Sequence, residues 1–134
     1  MSLQAGSELP GWVIESVSAE HMKTLAVVLA DPNPIHLDPE AVKALGMGER
    51  VINQGPANVG YVLNMLAAAV PGAQITDIKV RFLSNVFAED RLIAGGRVEQ
   101  QEQGAGGERV LRLSVWLDVD GGARALDGTA TLVL

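Results

Sequence analysis

Between Pro56 and Val70 the chain offers no continuous polar face: Ala57, Val59, Tyr61, Val62, Leu63, Met65, Leu66 and Ala67 spread apolar side chains around the turn of a helix. A helix that is apolar all round must be covered by other structure. Pro71-Gly72 stops it, and the period of the sequence then changes. Leu111, Leu113, Val115, Leu117 and Val119 alternate with Arg112, Ser114, Trp116 and Asp118, the pattern of a strand with one buried face. Similar patterns predict strands over 75–82 and 91–101, and one near 12–16. Gln103-Gly104-Ala105-Gly106-Gly107 reads as a flexible hairpin loop, and Asp120-Gly121-Gly122 turns the chain into a last strand ending at Leu134. One buried helix followed by antiparallel strands predicts an α+β domain whose sheet curls around the helix, apolar face inward.

Two shorter helices are predicted ahead of it. Ser18 is a fitting N-cap for a helix with Met22, Leu25, Ala26 and Leu29 on one face. It should end near Ala30, because Asp31 and Asn33 each precede a proline and are biased towards extended backbone. A second helix over 39–45 has Asp38 as its cap, proline at its first position and Gly46 just past its end. At 134 residues the chain makes one domain, 1–134, able to bury a real core. With 48% hydrophobic but only 4% aromatic residues, that core must be aliphatic.

The absence of cysteine excludes a disulfide framework, a Cys-ligated metal and a thiol nucleophile. It is compatible with a reducing cytosol. A net charge of −6 argues against broad nucleic-acid binding, which needs a positive field. Met1-Ser2-Leu3-Gln4 lacks the basic start and apolar run of a signal peptide. The longest apolar stretch, 57–70, is shorter than the roughly 20 residues that span a bilayer. The sequence therefore predicts a cytoplasmic protein without a membrane or nucleic-acid partner.

The segment Asp31-Pro32-Asn33-Pro34-Ile35-His36 holds a carboxylate and an imidazole on backbone stiffened by two prolines. A water held between such groups can give a proton to one and receive one from the other near neutral pH. A proline-rich turn, with Asp31 and Asn33 satisfying backbone donors and His36 partly buried, is the simpler explanation of the spacing alone. Gln54-Gly55-Pro56 opens the central helix, where free N–H groups can stabilise an oxyanion. An ordinary glycine cap before a proline would look the same. The two histidines, His21 and His36, lack metal-ligand spacing. His21, beside Glu20 and Lys23, reads as a solvated surface residue.

Asp31, Asn33-Pro34-Ile35-His36, Asp38, Ala41 and Gly46, with Val51-Ile52 and Gly55, resemble the hydratase motif of the MaoC-like, (R)-specific enoyl-CoA hydratases. Val80-Arg81-Phe82, Val86 and Asp90 resemble the segment that follows the family's central helix, so the resemblance covers about residues 16 to 95. It implies a hot-dog fold, in which an antiparallel sheet wraps a long central apolar helix, and a homodimer or higher homo-oligomer. It also implies reversible syn addition of water to a trans-2-enoyl thioester, giving a (3R)-3-hydroxyacyl thioester. Asp31 and His36 would be the catalytic pair, and the Gly55 N–H would bind the thioester oxygen.

Asn33, Gln54, Pro56, Ala57, Tyr61 and Arg81 are the candidate substrate-binding residues. The substrate would be an acyl-CoA or acyl-carrier-protein thioester, with coenzyme A as part of the substrate and no separate cofactor or metal. The chain departs from the family pattern at Gln54, where histidine is common, and at Pro56, where a larger apolar residue is common. Asn85 and Glu89 stand where proline and glycine are usual. These departures predict an altered pocket and substrate range. A hot-dog thioesterase and a non-catalytic acyl-thioester-binding hot dog are the alternatives.

Overall fold

The computed structural model describes residues 3–134. Met1 and Ser2, part of the start read above as unlike a signal peptide, lie outside them. Strand β1 (Trp12–Ile14) precedes helix α1 (Ala19–Val28), a 3-10 turn (Pro34–His36), α2 (Pro39–Ala44) and α3 (Gly55–Ala69). Strands β2 (Gln74–Phe82), β3 (Leu92–Gln103), β4 (Arg109–Val119) and β5 (Arg124–Val133) follow. They form one antiparallel sheet in the order β1-β3-β4-β5-β2. Helix α3 lies against β1, β3 and β4.

The two shorter helices begin as their sequence demands. Ser18 accepts a hydrogen bond from the His21 N–H, and Asp38 accepts one from Glu40 N–H. Strand β4 shows the expected alternation, with Leu111, Leu113, Val115 and Leu117 buried. They meet Val62, Met65 and Leu66 of α3 in a single core, and every buried hydrophobic residue is Leu, Val, Ile, Met or Ala. Close approach of helix and sheet is possible because β3 has Gly96 at the contact: a Cβ there would stand 3.2 Å from Met65 Cε.

Helix α3 differs from its prediction. Instead of being covered all round, it buries only the face carrying Asn58, Val62, Met65 and Leu66, while Ala67 and Ala68 are exposed. The physical reason is that a single sheet covers one side of a helix, and α1 does not enclose the other.

The loop after β2 carries one departure from the family pattern visibly. Glu89, where glycine is usual, has φ 73°. A side chain in this left-handed region costs about 1–2 kcal/mol, partly offset because glycine loses more entropy on folding. Its neighbours hold it there: Glu89 N–H donates to Val17 O at 2.7 Å, and Asp90 accepts from Phe87 N–H at 2.9 Å. Glu89→Gly is therefore expected to stabilise the fold by roughly 0.5–1 kcal/mol in urea denaturation. A destabilised variant would show that the Glu89 side chain contributes more than its backbone strain.

Candidate active site

Asp31 owes its position to the end of α1. Ala30 lies in the left-handed region at φ 51°, and the chain turns back over the helix: Ala30 N–H donates to Val27 O at 3.2 Å and Asp31 N–H to Ala26 O at 2.9 Å. These are the two bonds of a Schellman motif, built on alanine where glycine is usual. The Asp31 carboxylate then accepts from Asn33 N–H through Oδ1 at 3.1 Å. Asn33 Oδ1 in turn caps the 3-10 turn through Ile35 N–H at 3.2 Å. Asn33 therefore ties the Asp31 carboxylate to the turn that carries His36.

The turn delivers His36, which is 8% exposed, to face Asp31: Nε2 stands 3.4 Å from Oδ2. Its other nitrogen, Nδ1, is 2.6 Å from the carbonyl of Ile52. A carbonyl can only accept, so Nδ1 carries the proton and Nε2 of the neutral ring is an acceptor. An imidazole acceptor beside a carboxylate acceptor needs a shared proton or a donor between them. A water molecule meets that need by giving one hydrogen to each while keeping its own lone pairs free.

Ile52 belongs to a short extended segment that ends at the N-terminus of α3. Ile52 N–H donates to Ile35 O at 2.9 Å, and Asn53 N–H to Val86 O at 2.7 Å. Gln54 is the N-cap of α3 but makes no side-chain cap. Its carbonyl accepts from Ala57 and Asn58, and the Gly55 N–H has no acceptor among the described residues. This leaves a free donor with the partial positive charge of a helix start. A Cβ on Gly55 would lie 3.1 Å from the Phe82 ring, so a side chain here would push that exposed ring outward.

The remaining candidates are dispersed. Gln54 is 1% exposed, gives its Nε2 to Met22 O at 2.8 Å, and leaves Oε1 buried without a partner. Pro56 is exposed in the first turn of α3. A cleft of about 630 Å³ has Asp31, Lys23, Ala26 and Leu37 in its walls. Ala57 and Tyr61 line a second cleft of about 320 Å³, with Gly60 and Thr24. Arg81 is not brought to this corner: Ile78 and Val80 of β2 pack on the core, and the alternate Arg81 binds Asp127 at 2.7 Å and 3.2 Å. That partner raises the pKa of Arg81 and lowers that of Asp127.

Two contributors escaped the sequence reading. The Ile52 carbonyl, which orients His36, is a backbone group and leaves no mark on residue type. Asn53, which is 6% exposed, bonds Asn58, which is 4% exposed. Their signal was present in the sequence as two amides in otherwise apolar surroundings, on either side of a helix start.

A five-stranded antiparallel sheet laid against one helix is the hot-dog arrangement, and here it carries a carboxylate facing an imidazole that is oriented by the segment leading into that helix. The family described as MaoC like domain matches residues 13–115, and the chain belongs to it. Over 76 residues the chain is 30% identical to the mitochondrial 3-hydroxyacyl-[acyl-carrier-protein] dehydratase of Arabidopsis thaliana, covering 57% of this chain and 45% of that protein. The chain thus spans less than half the length of that relative. The (R)-hydratase from A. caviae involved in PHA biosynthesis superposes with a TM-score of 0.85 at 24% identity, over 100% of this chain and 98% of that one. A chain of the HadBC (3R-hydroxyacyl-ACP dehydratase) complex from Mycobacterium tuberculosis superposes with a TM-score of 0.73 at 18% identity, over 99% and 98%.

Proposed function

We propose that the protein adds water reversibly to trans-2-enoyl thioesters, giving (3R)-3-hydroxyacyl thioesters, with Asp31 and His36 acting on one water molecule. The observation that carries this reading is the Ile52 carbonyl on His36 Nδ1 at 2.6 Å, which turns Nε2 towards Asp31 as an acceptor. One member of the pair removes a proton from water as its oxygen bonds to C3. The same pair returns a proton to C2, so the elements of one water are added and nothing else is consumed. Between those events charge resides on the thioester oxygen, where the Gly55 N–H stabilises it. The thioester is carried by coenzyme A or by acyl carrier protein. The Arabidopsis relative is named for the carrier-protein substrate, and the A. caviae protein is named an (R)-hydratase. The test is the configuration of 3-hydroxybutyryl-CoA made from crotonyl-CoA: (R) product is expected, and (S) product would overturn the reading.

The assembly is a homodimer or higher homo-oligomer in this reading. Strand β2 lies at one edge of the sheet, with Phe82 57% and Leu83 46% exposed at its end. A long open edge with exposed apolar residues invites pairing, and the M. tuberculosis protein is named as a complex. A solution mass equal to the 14.1 kDa of one chain would contradict it. No helix among the described residues is long and apolar enough to cross a membrane. The cytoplasm is the setting that suits a chain without cysteine.

A further inference from the structure

The buried polar side chains of the described residues are His36, Asn53, Gln54 and Asn58, and all belong to the site or to the helix start that borders it. His36 acts in the mechanism above, and Gln54 is tied to α1 through Met22 O. Asn53 and Asn58 have no role in either.

Relative to α3, Asn53 precedes the cap residue Gln54, and Asn58 is the fourth residue of the helix. Two apolar side chains often pack across these positions and set the angle at which the chain meets the helix. Here a hydrogen bond takes their place: Asn53 Nδ2 donates to Asn58 Oδ1 at 2.8 Å, with the Tyr61 hydroxyl 3.5 Å from the same nitrogen. Apolar contact is non-directional, whereas a hydrogen bond weakens steeply as it bends. The two amides therefore define the angle more narrowly than an apolar pair would.

Both halves of the site depend on that angle. On one side of Asn53 is the Ile52 carbonyl that orients His36, and on the other is Gly55 at the head of α3. The backbone bonds of Ile52 and Asn53 run to Ile35 and Val86, and neither reaches α3. The Asn53–Asn58 bond links the segment to the body of the helix.

We propose that Asn53 and Asn58 are positioning residues whose hydrogen bond holds the His36-orienting carbonyl of Ile52 in register with the Gly55 N–H. This rests on the hydratase reading for its kinetic consequence, but not for its effect on the imidazole.

The experiment compares the whole protein with an Asn53→Leu/Asn58→Leu double variant. Replacing both partners with apolar groups of similar size orphans neither amide, and the Tyr61 hydroxyl, on a half-buried side chain, loses only a 3.5 Å contact, so Tm is expected to change little. Turnover is expected to fall about 10- to 100-fold with KM within about threefold, the pattern of misplaced rather than missing groups. In parallel, nitrogen NMR of the imidazoles reads the tautomer, with His36 assigned against a His21→Gln variant. A single Nδ1–H tautomer is expected in the parent and a mixture in the double variant. Unchanged turnover together with a single tautomer in the double variant would overturn the proposal. If the parent does not hydrate enoyl thioesters, the hydratase reading fails and the tautomer alone decides: a mixture supports positioning and a single form overturns it. Should the double variant not fold, Asn58→Asp is compared with Asn58→Leu. Asp keeps the acceptor oxygen, so turnover should stay within about threefold of the parent only there, and equal losses would overturn the proposal.

Discussion

Asp31→Asn should lower turnover on an enoyl thioester by roughly 10² to 10⁴, and His36→Gln should do the same, because in the proposed mechanism each removes one of the two acceptors that share the proton work. The Asn variant keeps an oxygen for the Asn33 N–H and loses the basic oxygen that faces His36. The Gln variant keeps a donor for the buried Ile52 carbonyl and loses the ring nitrogen that faces Asp31. Stability should therefore change little in either. If both residues act on the same water, as proposed, the double variant should be no slower than the worse single variant by more than a small factor. Turnover and urea denaturation on the same preparations check both statements. Parent-like turnover in both single variants would remove the acid–base pair from the mechanism.

The second large effect is on the fold that carries the site. Met65 is 0% exposed on the buried face of α3, with its methyl group close to Gly96 of β3. Met65→Ala deletes that contact and leaves a cavity between helix and sheet, which costs about 2–5 kcal/mol. That is a large part of the ~5–15 kcal/mol by which domains are stable. With a urea slope of about 2 kcal/mol per molar, the middle of the usual range, the midpoint should fall by about 1–2.5 M. A shift below about 0.5 M would mean that the helix and sheet close over the gap, contrary to the tight packing at Gly96.

Much of this architecture was legible because single residue types decide it. The proline and cap residues at Ser18 and Asp38 place two helix starts, and the β4 alternation identifies its buried face. The extent of cover on α3 was not legible, since an all-apolar helix records that it must be covered but not by what, and one sheet reaches one face. The left-handed turns at Ala30 and Glu89 were hidden because neither residue is glycine; surrounding backbone bonds impose the conformation. In the site, the Asp31 and His36 spacing was readable as either a turn or an acid–base pair. What turns the ring towards the carboxylate is the Ile52 carbonyl, sixteen residues along the chain from His36.

The most direct measurement follows the ultraviolet absorbance of the conjugated enoyl thioester with purified protein and crotonyl-CoA, with a free-thiol assay on the same sample. Hydratase chemistry predicts loss of enoyl absorbance with no thiol released. Thiol appearing in step with substrate loss, or unchanged absorbance with crotonyl-CoA and with longer enoyl thioesters on either carrier, would contradict it.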